Sequence, residues 1–466
     1  MGIFLPYTPL HYLLLSEGGF KALVMTSGNQ SEEPIAIDNQ EAVRRLNCLA
    51  DRFLVHNRDI LLRCDDSVVR VAGGLTRQLR RSRGFVPVPV FLKDDQPSVL
   101  AVGGELKNTI CLTKGKHAFL SQHVGDLENA ESYSFFHEAI EHLERILEIR
   151  PEIIGYDLHP DYFSTRWALE QSGAKLVGVQ HHHAHIASCM AENHLEGRVI
   201  GFALDGTGYG TDGKIWGGEV LIAGYEGFER AAHFEYVPLP GGATAIREPW
   251  RMAVSYLAHH FGSDFLKLDI PFVRQLNRPK AELLLRMMEQ RVNSPLTSSC
   301  GRLFDAVAAL VGIRQQVNYE AQAAIELEMA MASSEVESPE GNTAYPMKLL
   351  PELAPEDDHW IISTRPLFEA LLEDLGRSVP VGTISRRFHN GLVEGFVQLA
   401  TLLQQKTALN RVCLSGGTFH NIYLSQRLET RLSEAGFEVF TQKEVPSGDG
   451  GLSLGQALVA AAKLRA

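Results

Sequence analysis

The feature that most constrains this chain is an order of elements that occurs twice. Strands are expected over residues 99–102, 109–113 and 118–121. A helix follows, because Phe135, Phe136, Ala139, Ile140, Leu143, Ile146 and Leu147 recur at three- and four-residue spacing. A strand at 153–156, a helix at 162–171 and a strand at 176–179 complete the first pass. The order begins again at 199. Strands over 199–204, 214–216 and 219–223 are separated by Gly-rich turns. Helices follow, including 301–311 and 387–405, then a strand at 412–414 and helices at 424–434 and 452–464. The predicted fold class is α/β, built as two lobes of about 98–198 and 199–466. Duplicated folds of this layout hold a nucleotide in the cleft between the halves.

Residues 1–92 lie outside this repeat and read as a separate segment. A short helix is expected over 10–15 and a buried strand over 22–25, leading to the turn Ser27-Gly28-Asn29. Val68 to Val71, the Gly73-Gly74 turn and Thr76 to Arg81 predict a β-hairpin. Residues 93–97 are polar and read as a linker.

Composition narrows the function classes. The formal charge of -12 disfavours binding nucleic acid through a broad basic face. No apolar run reaches the length that spans a bilayer, and no signal peptide is recognisable at Met1. The six cysteines are scattered without a CxxC pair, which argues against a disulfide framework or a Cys-type zinc site and fits a reducing cytoplasm.

The densest chemical signal is His181-His182-His183-Ala184-His185. On a helix, His181 and His185 share a face and can bind one metal ion; the competing reading is a solvated histidine cluster at a helix start. Two imidazoles need carboxylates from elsewhere. Asp205 and Asp449 sit at Gly-rich turns, where a carboxylate is readily presented. A mixed N/O shell suits iron, zinc or manganese. Gly206, Thr207 and Gly208 follow a strand and can approach a phosphate, or simply form a hairpin turn. Ser415, Gly416 and Gly417 form a second strand–Gly–Gly–helix junction, where Asn421 could bond a nucleotide, or the glycine pair serves only tight packing. In the N-terminal segment, Arg81 and Arg83 alternate on the expected strand and can clamp a phosphate, or belong to a solvated edge. Ser27 and Asn29 are candidates for the same phosphate.

Longer stretches carry a resemblance. AVGGELKNTICL (101–112), SQHVGDLEN (121–129), VQHHHAHIAS (179–188), DGTGYGTDGKIWGGE (205–219) and LSGGTFHN (414–421) resemble the Kae/TsaD-like domain of carbamoyltransferases, a duplicated actin-like fold. YEAQAAIELE (319–328) matches as well, and AIREPWRMA (245–253) and SPLTSSCGRLFDAVAALVG (294–312) resemble the HypF family of hydrogenase maturation in particular. LPYTPLHYLLL (5–15), VMTSGNQSEEPI (24–35), DDSVVRV (65–71) and RRSRGFVP (80–87) resemble the C-terminal part of a YrdC-like domain. The resemblance implies a YrdC-like part at 1–92 and a Kae/TsaD-like domain at 98–466. HypF proteins carry further domains before this point, so the chain is expected to start inside the YrdC-like domain, with the adenylate-forming half incomplete.

The resemblance also implies a reaction. Carbamoyl phosphate and ATP give carbamoyl adenylate, and the carbamoyl group passes to the C-terminal cysteine of HypE. A divalent metal, iron or zinc, would be held by His181, His185, Asp205 and Asp449, with His181, His185 and Asp205 counted as catalytic. Asp305 would hydrogen-bond the ribose, and Asn421 would lie near the nucleotide. Two other readings stay open: a tRNA threonylcarbamoyl-transferase-like enzyme and a non-catalytic nucleotide-binding scaffold.

Overall fold

The computed structural model describes residues 2–31, 33–333, 343–352 and 359–465. They form two compact units, Met1–Asp65 and Asp66–Ala466. The first carries α1 (Pro9–Gly18) and α2 (Asn39–Leu46). Thr8 caps α1 by accepting the His11 N–H at 3.2 Å, and Asp38 caps α2 by accepting the Glu41 N–H at 2.8 Å. The buried strand expected over 22–25 does not form. Val24 is fully exposed, and no strand among the described residues pairs with this segment. An isolated apolar tetrapeptide has no ladder to join, so its pattern alone cannot make it a strand.

The second unit opens with the expected hairpin. β1 (Val68–Ala72) pairs antiparallel with β2 (Leu75–Arg80) around Gly73 and Gly74, both at positive φ. Arg77 fastens it to Glu429 at 3.1 Å.

Lobe I follows. Its sheet runs β3-β5-β4-β6-β7, built from β3 (Val90–Gln96), β4 (Val99–Ala101), β5 (Cys111–Leu120), β6 (Ile153–Asp157) and β7 (Lys175–Val179). Two expectations need correction here. The polar stretch at 93–97 is not a linker; residues 93–96 belong to edge strand β3, whose outward face is polar because it meets water. The strands expected at 109–113 and 118–121 are one continuous strand, β5. Helix α3 (Ala130–Leu147) buries Phe135, Phe136, Ala139, Ile140 and Leu143 as its spacing predicts, while Ile146 stays exposed. Helix α4 (Phe163–Leu169) joins β6 to β7.

Helix α5 (His181–Glu192) joins the lobes. Every residue from His181 to Ala191 is buried. Ala184, Ala187 and Ala191 enter the lobe I core, whereas Ile186, Cys189 and Met190 enter a cluster with the strands of lobe II.

The lobe II sheet runs β13-β14-β10-β9-β8-β15-β16. Its strands are β8 (Val199–Leu204), β9 (Gly218–Ala223), β10 (Phe228–Phe234), β13 (Lys348–Pro351), β14 (Trp360–Ser363), β15 (Arg411–Ser415) and β16 (Glu438–Phe440), with β11 (Val237–Pro238) and β12 (Leu296–Thr297) pairing separately. The strand expected at 214–216 is only an isolated bridge at Ile215; the third strand of the repeat is β10. Helices α6 (Ala243–Arg247), α7 (Trp250–Phe261), α8 (Pro271–Gln275), α9 (Arg278–Glu289), α10 (Cys300–Leu310), α11 (Gln322–Ala330), α12 (Arg365–Gly376), α13 (Val381–Thr407) and α14 (Ile422–Glu434) complete the lobe.

The last helix, α15 (Leu452–Arg465), returns to lobe I, packing on β4, β5, β6 and β7 and crossing α5. At the crossing a Cβ on Gly455 would lie 1.8 Å from the Ala184 carbonyl oxygen, so only glycine permits this approach. The crossing draws the N-terminal end of α5 and the turn before α15 to one place.

Candidate metal and nucleotide site

Three elements meet at the junction of the lobes. The N-terminal turn of α5 brings His181 and His185; the turn after β8 brings Asp205; the turn before α15 brings Asp449. One nitrogen or oxygen from each lies within 4.8 Å of the others. Helical spacing puts the two imidazoles on one face, with ring centroids 5.0 Å apart.

His181, Asp205 and the Asp449 turn are held from behind, whereas His185 Nδ1 has no hydrogen-bond partner among the described residues. His181 Nδ1 meets Asp157 Oδ2 at 2.8 Å, and both side chains are buried. Its Nε2 faces Asp205 and Asp449, 3.7 Å from an oxygen of each, and makes no hydrogen bond among the described residues. His185 Nε2 lies 2.9 Å from Asp205 Oδ2. The other Asp205 oxygen accepts backbone N–H groups from Gly206 at 2.7 Å and Gly417 at 3.3 Å. The Asp449 turn is fixed by Thr109 Oγ1 donating to the Gly450 carbonyl and Ser188 Oγ donating to the Gly451 carbonyl.

Electrostatics follow from this enclosure. Burial opposes charge on His181, but Asp157, Asp205 and Asp449 outweigh it and raise the imidazole well above its ordinary range. His185 is raised for a similar balance of burial against Asp205 and Asp449. Burial would raise Asp205, yet hydrogen bonds to the two histidines hold it well below the usual carboxylate range. Burial and the neighbouring Asp205 both push Asp449 upward; the histidines bring it down to about 2. A buried and a half-buried carboxylate facing two buried histidines need a compensating cation, whether protons or a metal ion.

The donor set fits a metal. An imidazole held through Nδ1 by a buried carboxylate presents Nε2 in the orientation of a metal ligand. The orphaned Nε2 of His181, pointed at two carboxylates, is the observation on which that fit rests.

The other candidates divide. Gly206 and Thr207 are partly exposed beside Asp205, while Gly208 is buried against His181 and His182. The Ser415 hydroxyl faces inward, to Gln442 at 2.9 Å and the Ser447 carbonyl at 3.3 Å, so it does not face a ligand. The Gly416 N–H is bonded to the Ser447 carbonyl. Asn421 caps α14 through the Leu424 N–H and also meets His389 Nε2 at 2.8 Å. Asp305 is buried on α10 against Arg302 at 2.8 Å, and burial raises its carboxyl.

Arg81 and Arg83 are not brought together as an alternating strand pair. β2 ends at Arg80, so the two-residue alternation lapses. Arg81 is buried and donates to the carbonyls of Phe85, Val88 and Glu444; Arg83 is exposed beside Asp66 at 3.3 Å. In the first unit, Asn29 Nδ2 donates to the carbonyls of Gln30 and Glu33, each at 2.8 Å, and Ser27 sits in the same turn.

Sequence reasoning missed Asp157, whose only signal is an aspartate closing β6 beside the strand that feeds His181. It also missed Glu105, buried beside α4, where it accepts the Phe163 N–H at 2.8 Å.

Fold and site together define a two-lobed Kae1-like protein with a histidine–carboxylate centre at the lobe junction. The family model described as carbamoyltransferase, Kae1-like domain, second subdomain, matches residues 201–456, and the HypF Kae1-like domain matches 94–192. The Sua5/YciO/YrdC model, described as telomere recombination, matches 1–82. The chain belongs to the HypF carbamoyltransferase family. It is 43% identical to carbamoyltransferase HypF2 of Cupriavidus necator over 99% of this chain and 60% of that protein. It is 41% identical to HypF of Synechocystis over 98% of this chain and 59% of that protein. A HypF homolog of Cupriavidus necator is 37% identical over 79% of this chain and 92% of its own length. Among solved structures, full-length HypF in a phosphate- and nucleotide-bound form superimposes with a TM-score of 0.93 at 44% identity, over 100% of this chain and 71% of that one. HypF of T. kodakarensis gives 0.85 at 35%, over 95% and 57%. The chain thus spans about three fifths of the length of the first two relatives.

Proposed function

We propose that this chain transfers a carbamoyl group from carbamoyl adenylate to the C-terminal cysteine thiolate of HypE, with residues 98–466 as the transfer domain and 1–92 as the YrdC-like part. Carbamoyl phosphate and ATP are the source of the adenylate. The observation that carries this reading is the convergence of His181, His185, Asp205 and Asp449, with an orphaned imidazole nitrogen aimed into the group. Family membership supports the carbamoyl chemistry, and the nucleotide-bound relative supports an adenylate as substrate.

His181, His185, Asp205 and Asp449 would hold a divalent ion, iron or zinc, which would supply positive charge toward the phosphate of the adenylate. The protein's own groups do the rest. Asp157 orients His181, and Gly206 and Gly417 orient Asp205. The turns at 206–208 and 415–417 flank the phosphate. Asp305 bonds the ribose once its carboxylate re-partners from Arg302, and Asn421 lies at the nucleotide from the cap of α14. The thiolate sulfur bonds to the carbamoyl carbon as the carbon–oxygen bond to phosphate breaks and AMP leaves. The nucleophile comes from the partner, so no cysteine of this chain is required. A thiolate acceptor needs a reducing setting, which keeps the cytoplasm as the expected location.

The test supplies labelled carbamoyl adenylate to the chain with either HypE or tRNA. Label on HypE, lost in His181→Ala together with one equivalent of bound metal, is the expected result. In a parallel arm with labelled threonylcarbamoyl adenylate, label on tRNA would replace this reading with the threonylcarbamoyl one. Unchanged metal content and transfer in His181→Ala would favour a scaffold.

A further inference from the structure

A second constellation of metal-binding donors sits on the lobe II sheet and shares no residue with the first. His233, Glu352 and His359 each bring one ligand atom within 4.8 Å of the others. We infer that these three side chains form a separate site for a zinc-class divalent ion, which pins the edge hairpin β13–β14 to strand β10.

Sheet register builds this site. β13 and β14 pair antiparallel with Pro351 opposite Trp360, and the Glu352 N–H donates to the His359 carbonyl at 3.0 Å. Glu352 and His359 therefore face each other across the end of the hairpin, and their side chains are in direct contact. β14 runs parallel to β10 with Ile361 beside His233. His359 lies two residues before Ile361, so the strand period of two returns it to the face of His233. The two rings lie 5.3 Å apart.

The tautomer of His233 is fixed for ligation. Its Nδ1 meets the Phe234 carbonyl oxygen at 2.7 Å. A carbonyl only accepts, so Nδ1 carries the proton and Nε2 carries the lone pair. His233 is 3% exposed, which makes an imidazole nitrogen here expensive to leave without a partner. The neighbouring charges are already spent: Glu219, opposite His233 on β9, pairs with Arg230 at 2.6 Å and accepts from Ser298.

Chemistry and size select the ion. Two imidazoles and one carboxylate favour zinc, cobalt or nickel over magnesium or calcium, which prefer all-oxygen shells. Tetrahedral bonds of about 2.1 Å place ligand atoms about 3.4 Å apart. The three donors already lie within 4.8 Å of one another. Three protein ligands leave a fourth position for water.

The test is zinc stoichiometry on the full chain after chelation and dialysis, by equilibrium titration with elemental analysis. Wild-type protein is expected to take up two equivalents, His359→Asn one, His181→Ala one and the double variant none. Cobalt loaded into His181→Ala should give a visible d–d spectrum that Glu352→Gln alters, with zinc affinity weakened by about tenfold or more. Should His359→Asn melt below wild type even with chelator present, Glu352→Gln decides the matter. A single equivalent in wild type, removed by His181→Ala and untouched by His359→Asn and Glu352→Gln, would overturn the second site and leave the first standing.

Discussion

His181 has two partners with different jobs, and the distinction is measurable. Asp157 holds Nδ1, while Nε2 faces the site. Replacing Asp157 with Asn keeps the volume but removes the charge that fixes the ring. Metal affinity should fall about 10–100-fold, as outer-shell losses do. A competition titration with a chromogenic chelator reads this, and an unchanged affinity would make Asp157 a mere packing residue. Glu105 gives a second residue-scale prediction. Burial lifts its carboxyl to about 7, against the Phe163 and Ser164 backbone bonds that lower it. The folded state thus keeps a proton that the unfolded chain has lost. Stability from this group is full below about 4.5 and is lost as pH rises through about 7. Glu105→Gln should flatten that slope in melting temperatures taken between pH 5 and 8; parallel slopes would refute the assignment. At this scale the four clustered donors were legible because histidines four apart and aspartates in glycine turns leave local marks. Asp157 was not, since a buried carboxylate at a strand end is identified only by what folds against it. The alternation argument for Arg81 and Arg83 failed because it assumed a strand that stops one residue too early.

Among the elements, the α5–α15 crossing is the most exacting. Gly455→Ala places a methyl 1.8 Å from the Ala184 carbonyl oxygen, where backbone must move. The expected cost is about 1–3 kcal/mol or more, seen as a lower denaturation midpoint and weaker metal binding. Gly227→Ala, with nothing within 4 Å of its Cβ, serves as the control. Long periodic elements such as α3 were readable because their apolar spacing matches a helix over many residues. Short ones were not. β3 looked like a linker because an edge strand carries polar residues on its open face, and 214–216 looked like a strand because an apolar pair beside a glycine turn satisfies the pattern without a ladder. Sheet membership is a property of neighbours, which a single segment does not encode.

For the molecule as a whole, the site ties α5 and the α15 turn to the turn after β8. An ion bound there should stabilise lobes I and II together. At one hundred times its dissociation constant the gain is about 2.7 kcal/mol. Calorimetry of the Asp66–Ala466 unit within the intact chain, in a His359→Asn background that removes the second cluster, should show a metal-dependent rise in Tm that His181→Ala abolishes. A rise that survives His181→Ala would place the stabilising ion elsewhere. The duplicated layout of this unit was visible in the order of its elements, because twice-repeated strand and helix periods survive local errors. The convergence of its turns on one point was not, for that depends on how α5 and α15 cross.

Helix α5 has no face turned to water between His181 and Ala191. It therefore lacks the outer side on which most helices accumulate harmless substitutions. Any change to it presses on one lobe, the other, or the candidate ligands His181 and His185. Adjustment of this centre over evolutionary time must come from the strands and turns around the helix, leaving the rod itself nearly immobile in sequence.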